Sequence, residues 1–112
     1  MREKELFYID ILDSIEAIFD YVKGIEFEDF KADRKTYQAV IREFEIIGEA
    51  TKHILNEARN CCPDIPWRSI IDFRNVISHE YFGIRLKTIW DLIFYELPNL
   101  KQAIIKLKKE AQ

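Results

Sequence analysis

The chain has 112 residues, 48% of them hydrophobic and 33% charged, a composition that excludes disorder and fits a single domain over 1–112. Seventeen basic against twenty acidic side chains give a net charge of −3, which excludes a protein that coats nucleic acid with a broadly basic surface. Three Gly and three Pro are too few for a many-turned β fold, and no apolar run approaches the ~18 residues of a membrane span.

Apolar residues at Tyr8, Ile11, Leu12, Ile15, Ile18, Phe19 and Val22 recur at three-four spacing and predict a first helix, with Gly24 as its stop. The segment IEFEDFKAD then reads as a loop, with Phe27 and Phe30 available as plugs. Asp33 is a suitable N-cap for a second, longer helix, because its carboxylate can accept otherwise unpaired backbone N–H groups. Tyr37, Val40, Ile41, Phe44, Ile47, Thr51, Ile54, Leu55 and Ala58 carry that helix's stripe. Gly48 in its middle costs about 1 kcal/mol against Ala, which implies that another helix approaches closely there.

The segment CCPDIP reads as a turn, and a third helix starts at Asp64 or the residue before Pro66, with Pro66 in its first turn. Trp67, Ile70, Ile71, Phe73, Val76 and Ile77 continue it to about Ser78. Gly83 marks the connection to a fourth helix from about Leu86, which uses Ile89, Trp90, Ile93 and Leu97. Pro98 breaks or kinks it, and Leu100, Ile104, Ile105 and Leu107 carry a last segment with a basic tail. No alternating strand pattern competes, so the expected architecture is an all-α, up-and-down bundle of four to five helices. Fifteen aromatic residues are a heavy load for this length, and an oligomer interface is one place for them.

Charge is unevenly spread. Residues 1–60 carry fourteen acids against nine bases, whereas residues 61–112 carry six against eight. An anionic ligand therefore belongs to the second half. Cys61 and Cys62 are adjacent and would bridge only through a strained ring, so no structural disulfide is expected. Nor do they have the further ligands that zinc requires. With no signal-peptide core at the N-terminus, a reducing cytoplasm is the expected setting.

Two histidines are candidates for chemistry. His53 follows Glu49 by four residues on one helix face, but no paired Glu-x-x-His motif accompanies them, and a surface or interface histidine is the expected role. No metal site is expected. His79 lies in Asp72-Phe73-Arg74-Asn75-Val76-Ile77-Ser78-His79-Glu80-Tyr81-Phe82. An imidazole near a fixed guanidinium suits a phosphodiester, since Arg grips the non-bridging oxygens and His moves a proton near neutrality. Five residues separate the two, about 140° of helical rotation, so His79 reaches the Arg74 face only if the helix ends near Ser78. Ser78 does not make a nucleophile with its sequence neighbour. The spacing alone is weak: an arginine on a solvated face and a helix-capping histidine explain it as well.

The motif has wider company. Arg74-Asn75 followed by His79-Glu80-Tyr81 resembles the Arg-polar-x3-His-x-Tyr motif of the HepT-like branch of HEPN ribonucleases. The blocks YIDILDSIEAI, AVIREFEIIGEATKHI, PDIPWRSIIDFRNVISHEYFGI and TIWDLIFYELPNL are similar to that family as well, over nearly the whole chain. The resemblance implies a homodimeric HEPN-like toxin of a two-gene toxin–antitoxin system, with both motifs in a shared cleft. It implies metal-independent RNA cleavage by 2′-OH attack, leaving a cyclic phosphate, with no cofactor.

Carried over residue by residue, His79 is the acid–base residue, Arg74 stabilises the phosphorane and Asn75 positions the site. Tyr81 is the position to which a minimal, MntA-type nucleotidyltransferase antitoxin adds AMP, blocking the cleft. Glu80 occupies a variable slot, repelling RNA or orienting His79. Glu49 is a candidate support for Arg74 across the helix pair. Arg68, Arg85 and Lys87 are candidates to line the RNA cleft, with a solvated face as the competing explanation. A second class of function stays open: a non-catalytic HEPN partner that binds and regulates a minimal nucleotidyltransferase.

Overall fold

The computed structural model describes residues 3–79 and 86–111, with the side chains of 74–79 left aside. Seven helices follow one another among the described residues: α1 (Lys4–Val22), α2 (Phe27–Ala32), α3 (Arg34–Lys52), α4 (Leu55–Cys61), α5 (Trp67–His79), α6 (Leu86–Tyr95) and α7 (Leu97–Glu110). The fold is an all-α bundle, with no strand among those residues. The expected four to five helices are present as five longer ones, and two short helices, α2 and α4, raise the number to seven.

Helix α1 ends where expected, with Gly24 at a φ of 77° that an L side chain rarely adopts. The expected loop after it is instead helix α2. Asp29 reaches back to the Glu26 N–H at 2.9 Å, satisfying a donor at the helix start. Phe30 is fully buried and Phe27 partly so, and thus the two plugs hold although the backbone between them is helical. Asp33 caps α3 as expected, accepting from the Thr36 N–H at 3.4 Å and the Thr36 hydroxyl at 2.7 Å.

Helix α3 is the centre of the bundle, packed on α1 along one side and α5 along another. It stops at Lys52, so the long second helix expected through Ala58 is two helices. The break falls after Thr51, whose buried hydroxyl bonds to the Ile47 carbonyl at 2.7 Å within its own turn. His53 closes α3, and the chain re-enters helix at Leu55 with Ile54 and Ala58 both buried. This bend lets α4 pack on α7, where a straight helix would continue past it. The other late correction concerns Pro98, which opens the first turn of α7, where a missing N–H is harmless.

The expected stripes form one core: Tyr8, Ile11, Ile15, Ile18 and Val22 from α1, Val40, Ile41, Phe44, Ile47 and Thr51 from α3, and Leu100, Ile104 and Leu107 from α7 are all buried. Ion pairs fasten the periphery, Lys4 to Glu57 at 2.8 Å and Lys101 to Glu16, joining α1 to α4 and α7. No helix among the described residues is long and apolar enough to cross a membrane.

Candidate active site

The phosphodiester candidates sit on α5, so the site is built by whatever holds that helix. At its start, the Trp67 ring is 2% exposed and its indole N–H donates to the Cys62 carbonyl oxygen at 2.8 Å. The same carbonyl accepts from the Ile65 N–H at 3.2 Å, which closes the turn between α4 and α5. The two cysteines in that turn are free thiols with sulfurs 2.9 Å apart. Burial first, and the neighbouring Cys62 second, push the Cys61 thiol up to about 11.

One turn further on, α5 meets α3 at Gly48. A Cβ there would stand 3.0 Å from the Ile70 carbonyl oxygen and 3.4 Å from that of Ile71, backbone atoms that cannot rotate away. The expected close approach at Gly48 is therefore this one. Phe73 packs its ring 4.8 Å from Phe44, and Ile71 is buried beside it. Arg74 and Asn75 follow directly on this anchored stretch. The helical backbone runs through His79, one residue past the expected end. The residues after His79 lie outside the described ones, so the expected end of α5 near Ser78 is moved at least one residue on, and His79 is still helical.

Glu80, Tyr81 and Arg85 lie outside the described residues, as do the side chains of Arg74, Asn75, Ser78 and His79. Glu49 is exposed on α3 and pairs with Lys52 at 3.2 Å within its own helix. Arg68 is exposed in the first turn of α5. Lys87 is exposed on α6, where it pairs with Asp91 at 3.2 Å and lies 5.3 Å over the Phe27 ring. These contacts tie Lys87 to the α2–α6 side of the bundle. His53 is exposed, as expected, and stacks face to face on Phe7 with centroids 4.4 Å apart and planes within 3°.

That stack belongs to a feature the sequence reading passed over. A cavity of about 500 Å³ lies between α1, α3 and α5, with Phe7, Arg42, Glu45, Lys52, His53 and Ile71 among its walls. Arg42, Glu45, Glu49 and Lys52 recur at helical spacing beside the apolar stripe, which was the available signal. A second, apolar groove of about 290 Å³ lies on the other side of the α3–α5 contact, walled by Ile47, Ile70 and Phe73 with Leu92 and Leu100.

An all-α bundle whose anchored third long helix carries Arg-x4-His is of the HEPN kind. Comparison with known proteins carries this further. The family model "Ribonuclease HepT-like" matches residues 11–107, a span that includes the whole motif. The chain is 43% identical over 100 residues to "Probable ribonuclease HepT" of Thermococcus cleftensis, covering 89% of this chain and 91% of the relative. It is 41% identical over 101 residues to "Putative RNase TTE0752" of Caldanaerobacter subterraneus, covering 89% and 90%. It is 34% identical over 111 residues to "Putative RNase MJ0127" of Methanocaldococcus jannaschii, covering 99% and 92%. No solved structure matches. The chain belongs to the HepT-like ribonuclease family.

Proposed function

We propose that this protein is the toxin of a two-gene toxin–antitoxin system, an endoribonuclease that acts as a homodimer and needs no metal ion. The observation that carries this reading is the Arg74-to-His79 segment on the C-terminal half of α5, in a chain matched by the HepT-like family over nearly its full length. Gly48, Phe44 and Trp67 support it by fixing the N-terminal half of the same helix.

The chemistry follows from the residue types. The RNA 2′-OH attacks the adjacent phosphorus while His79 accepts its proton. The P–O bond to the 5′-oxygen then breaks, a proton passes to that oxygen, and a 2′,3′-cyclic phosphate remains. Because the nucleophile comes from the substrate, no ion is needed to generate it. Arg74 holds the non-bridging oxygens and neutralises charge developing on the phosphorane. Asn75 positions the site, and Arg68 and Arg85 supply cationic contacts to flanking phosphates, whereas Lys87 is engaged with Asp91 and the Phe27 ring. The antitoxin is a minimal nucleotidyltransferase that adds AMP to Tyr81, two residues beyond His79, placing new phosphate and adenine where Arg74 would hold RNA.

Purified protein incubated with RNA in the presence of a chelator tests the reading. Wild type should cleave and leave cyclic phosphate ends, and His79→Ala and Arg74→Ala should each lose at least ~100-fold in rate. Residual activity in His79→Ala equal to wild type would place the cleavage elsewhere. Co-expression with a minimal, MntA-type nucleotidyltransferase should add AMP-sized mass increments that Tyr81→Phe abolishes. Inhibition without such increments would indicate neutralisation by complex formation alone, and no cleavage by wild type would favour a non-catalytic HEPN partner.

A further inference from the structure

The geometry points to the cavity between α1, α3 and α5 as a binding subsite for one nucleobase of single-stranded RNA, next to the phosphate that is cut. The inference rests on the ribonuclease reading for what lies beside the cavity. Its own argument begins from position. Ile71 forms part of the cavity wall, and Arg74 and Asn75 stand three and four residues further along the same continuous helix. Positions at that spacing share a helix face, about one turn of ~5 Å along the axis. A nucleotide whose phosphate sits at Arg74 therefore has the cavity within reach of its neighbour's base.

Size and chemistry decide what the cavity takes. A volume of about 500 Å³ falls in the usual range for small-ligand sites, about 300–1,000 Å³. His53 is exposed at its edge and already stacked parallel on Phe7, so the pair offers a flat, pre-ordered platform. Proteins that bind single strands hold bases on such platforms.

The wall charges argue against a phosphate as the occupant. Among the described wall residues, the carboxylates Asp10, Glu45 and Glu49 outnumber the cations Arg42 and Lys52, and Glu49 and Lys52 pair with each other at 3.2 Å. Ionised carboxylates only accept hydrogen bonds. They match the exocyclic amino groups of adenine, cytosine and guanine, and they oppose uracil, whose single ring N–H is flanked by two carbonyl oxygens. His53 thus supplies the stacking face, and Glu45 reads the base edge.

Binding of fluorescent, uncleavable 2′-O-methyl oligonucleotides of uniform A, C or U sequence tests this directly. Wild type should bind the A and C probes several-fold tighter than the U probe. His53→Ala should weaken A and C binding about tenfold, whereas His53→Phe, which keeps a flat ring, should stay near wild type. Glu45→Gln should narrow the gap between A or C and U.

His53 is exposed and its capping contacts come from the backbone, so His53→Phe, which keeps the ring on Phe7, should melt like wild type, and His53→Ala, which loses the stack, should melt only a few degrees lower. His53→Ala binding within twofold of wild type would overturn the subsite, as would His53→Phe losing as much as His53→Ala. No binding of any probe by wild type would overturn it too. The probes need no nucleophile and no proton transfer. Failure of cleavage with His53-sensitive binding therefore counts against the ribonuclease reading alone. Cleavage that survives with His53-insensitive binding counts against the subsite alone.

Discussion

A methyl group at Gly48 would meet the Ile70 carbonyl oxygen at 3.0 Å, and both partners in that contact are helix backbone. Two effects compete in Gly48→Ala. The helix gains about 1 kcal/mol in intrinsic propensity, while forcing α3 and α5 apart costs about 1–3 kcal/mol. Overpacking should win, lowering the melting temperature by several degrees, as a domain of this size loses roughly 4–8 °C per kcal/mol. Thermal unfolding checks it, and a variant that melts above wild type would show that α5 can move at no cost. At Asp33 the effect is electrostatic. The Thr36 hydroxyl first, and the Thr36 backbone second, hold the Asp33 carboxyl below its ordinary value. A carboxyl depressed in the folded state adds stability above its unfolded pKa, near ~4, and loses it as pH falls through the lower folded value. Asp33→Ala should therefore melt below wild type at pH 7, with the gap closing below about pH 4. A gap unchanged between pH 7 and pH 3 would assign the effect to something other than the carboxylate. Gly48 and Asp33 were both legible in the sequence because each acts locally, one through a missing Cβ and one through a cap three residues from its donor.

Elements were legible where their ends carry chemistry and not where packing alone ends them. Gly24, Asp33 and Pro66 announce boundaries, and the structure has boundaries at or next to all three. The division of α3 from α4 has no such marker: TKHILNEA contains neither Gly nor Pro, and the apolar spacing runs straight through it. What ends α3 is the gain from seating Ile54 and Ala58 in the core and α4 against α7, a tertiary term that no local pattern displays. Helix α2 was missed for a related reason, since six residues are too few to show a period. The turn between α4 and α5 has the most direct consequence for the site. Trp67→Phe keeps most of the buried ring but removes the indole bond to the Cys62 carbonyl, so about 1–2 kcal/mol of stability should be lost. If that bond sets the start of α5, RNA cleavage should fall more than stability alone explains at temperatures well below melting. Full activity at such temperatures would show that Gly48 and Phe44 suffice to place the helix. The same turn predicts a slow thiol. With Cys61 raised to about 11, its alkylation at pH 7.5 should lag a cysteine in an unstructured peptide and accelerate as pH climbs past 9. Alkylation as fast as in the peptide would mean that the burial driving the shift is lost in solution.

At the scale of the whole molecule, the sequence showed the family and the helix that carries its motif, but not the cavity beside it. Arg74 and His79 are neighbours in a printed string, and a motif can be read there. Phe7 and His53 come together only because α1 lies along α3, a long-range fact with no local trace. The same distinction bears on how Arg74 and His79 act. With α5 helical through His79, their backbone positions differ by about 140° of rotation. A rigid helix that presents one residue to a cleft therefore turns the other aside. A two-fold dimer removes the conflict, because an isologous interface brings residue i of one chain to residue j of its partner. Each site would then pair Arg74 of one protomer with His79 of the other. Mixing the inactive Arg74→Ala and His79→Ala proteins under exchange conditions tests this arrangement. Random reassortment makes half the dimers mixed, and each mixed dimer holds one site with both residues intact. Activity should return to about a quarter of the wild-type rate. If the two residues act within one chain, every site in the mixture lacks one of them, and activity stays at the level of the separate variants. Sedimentation of the mixture shows whether mixed dimers formed, so a silent result cannot be blamed on failed exchange.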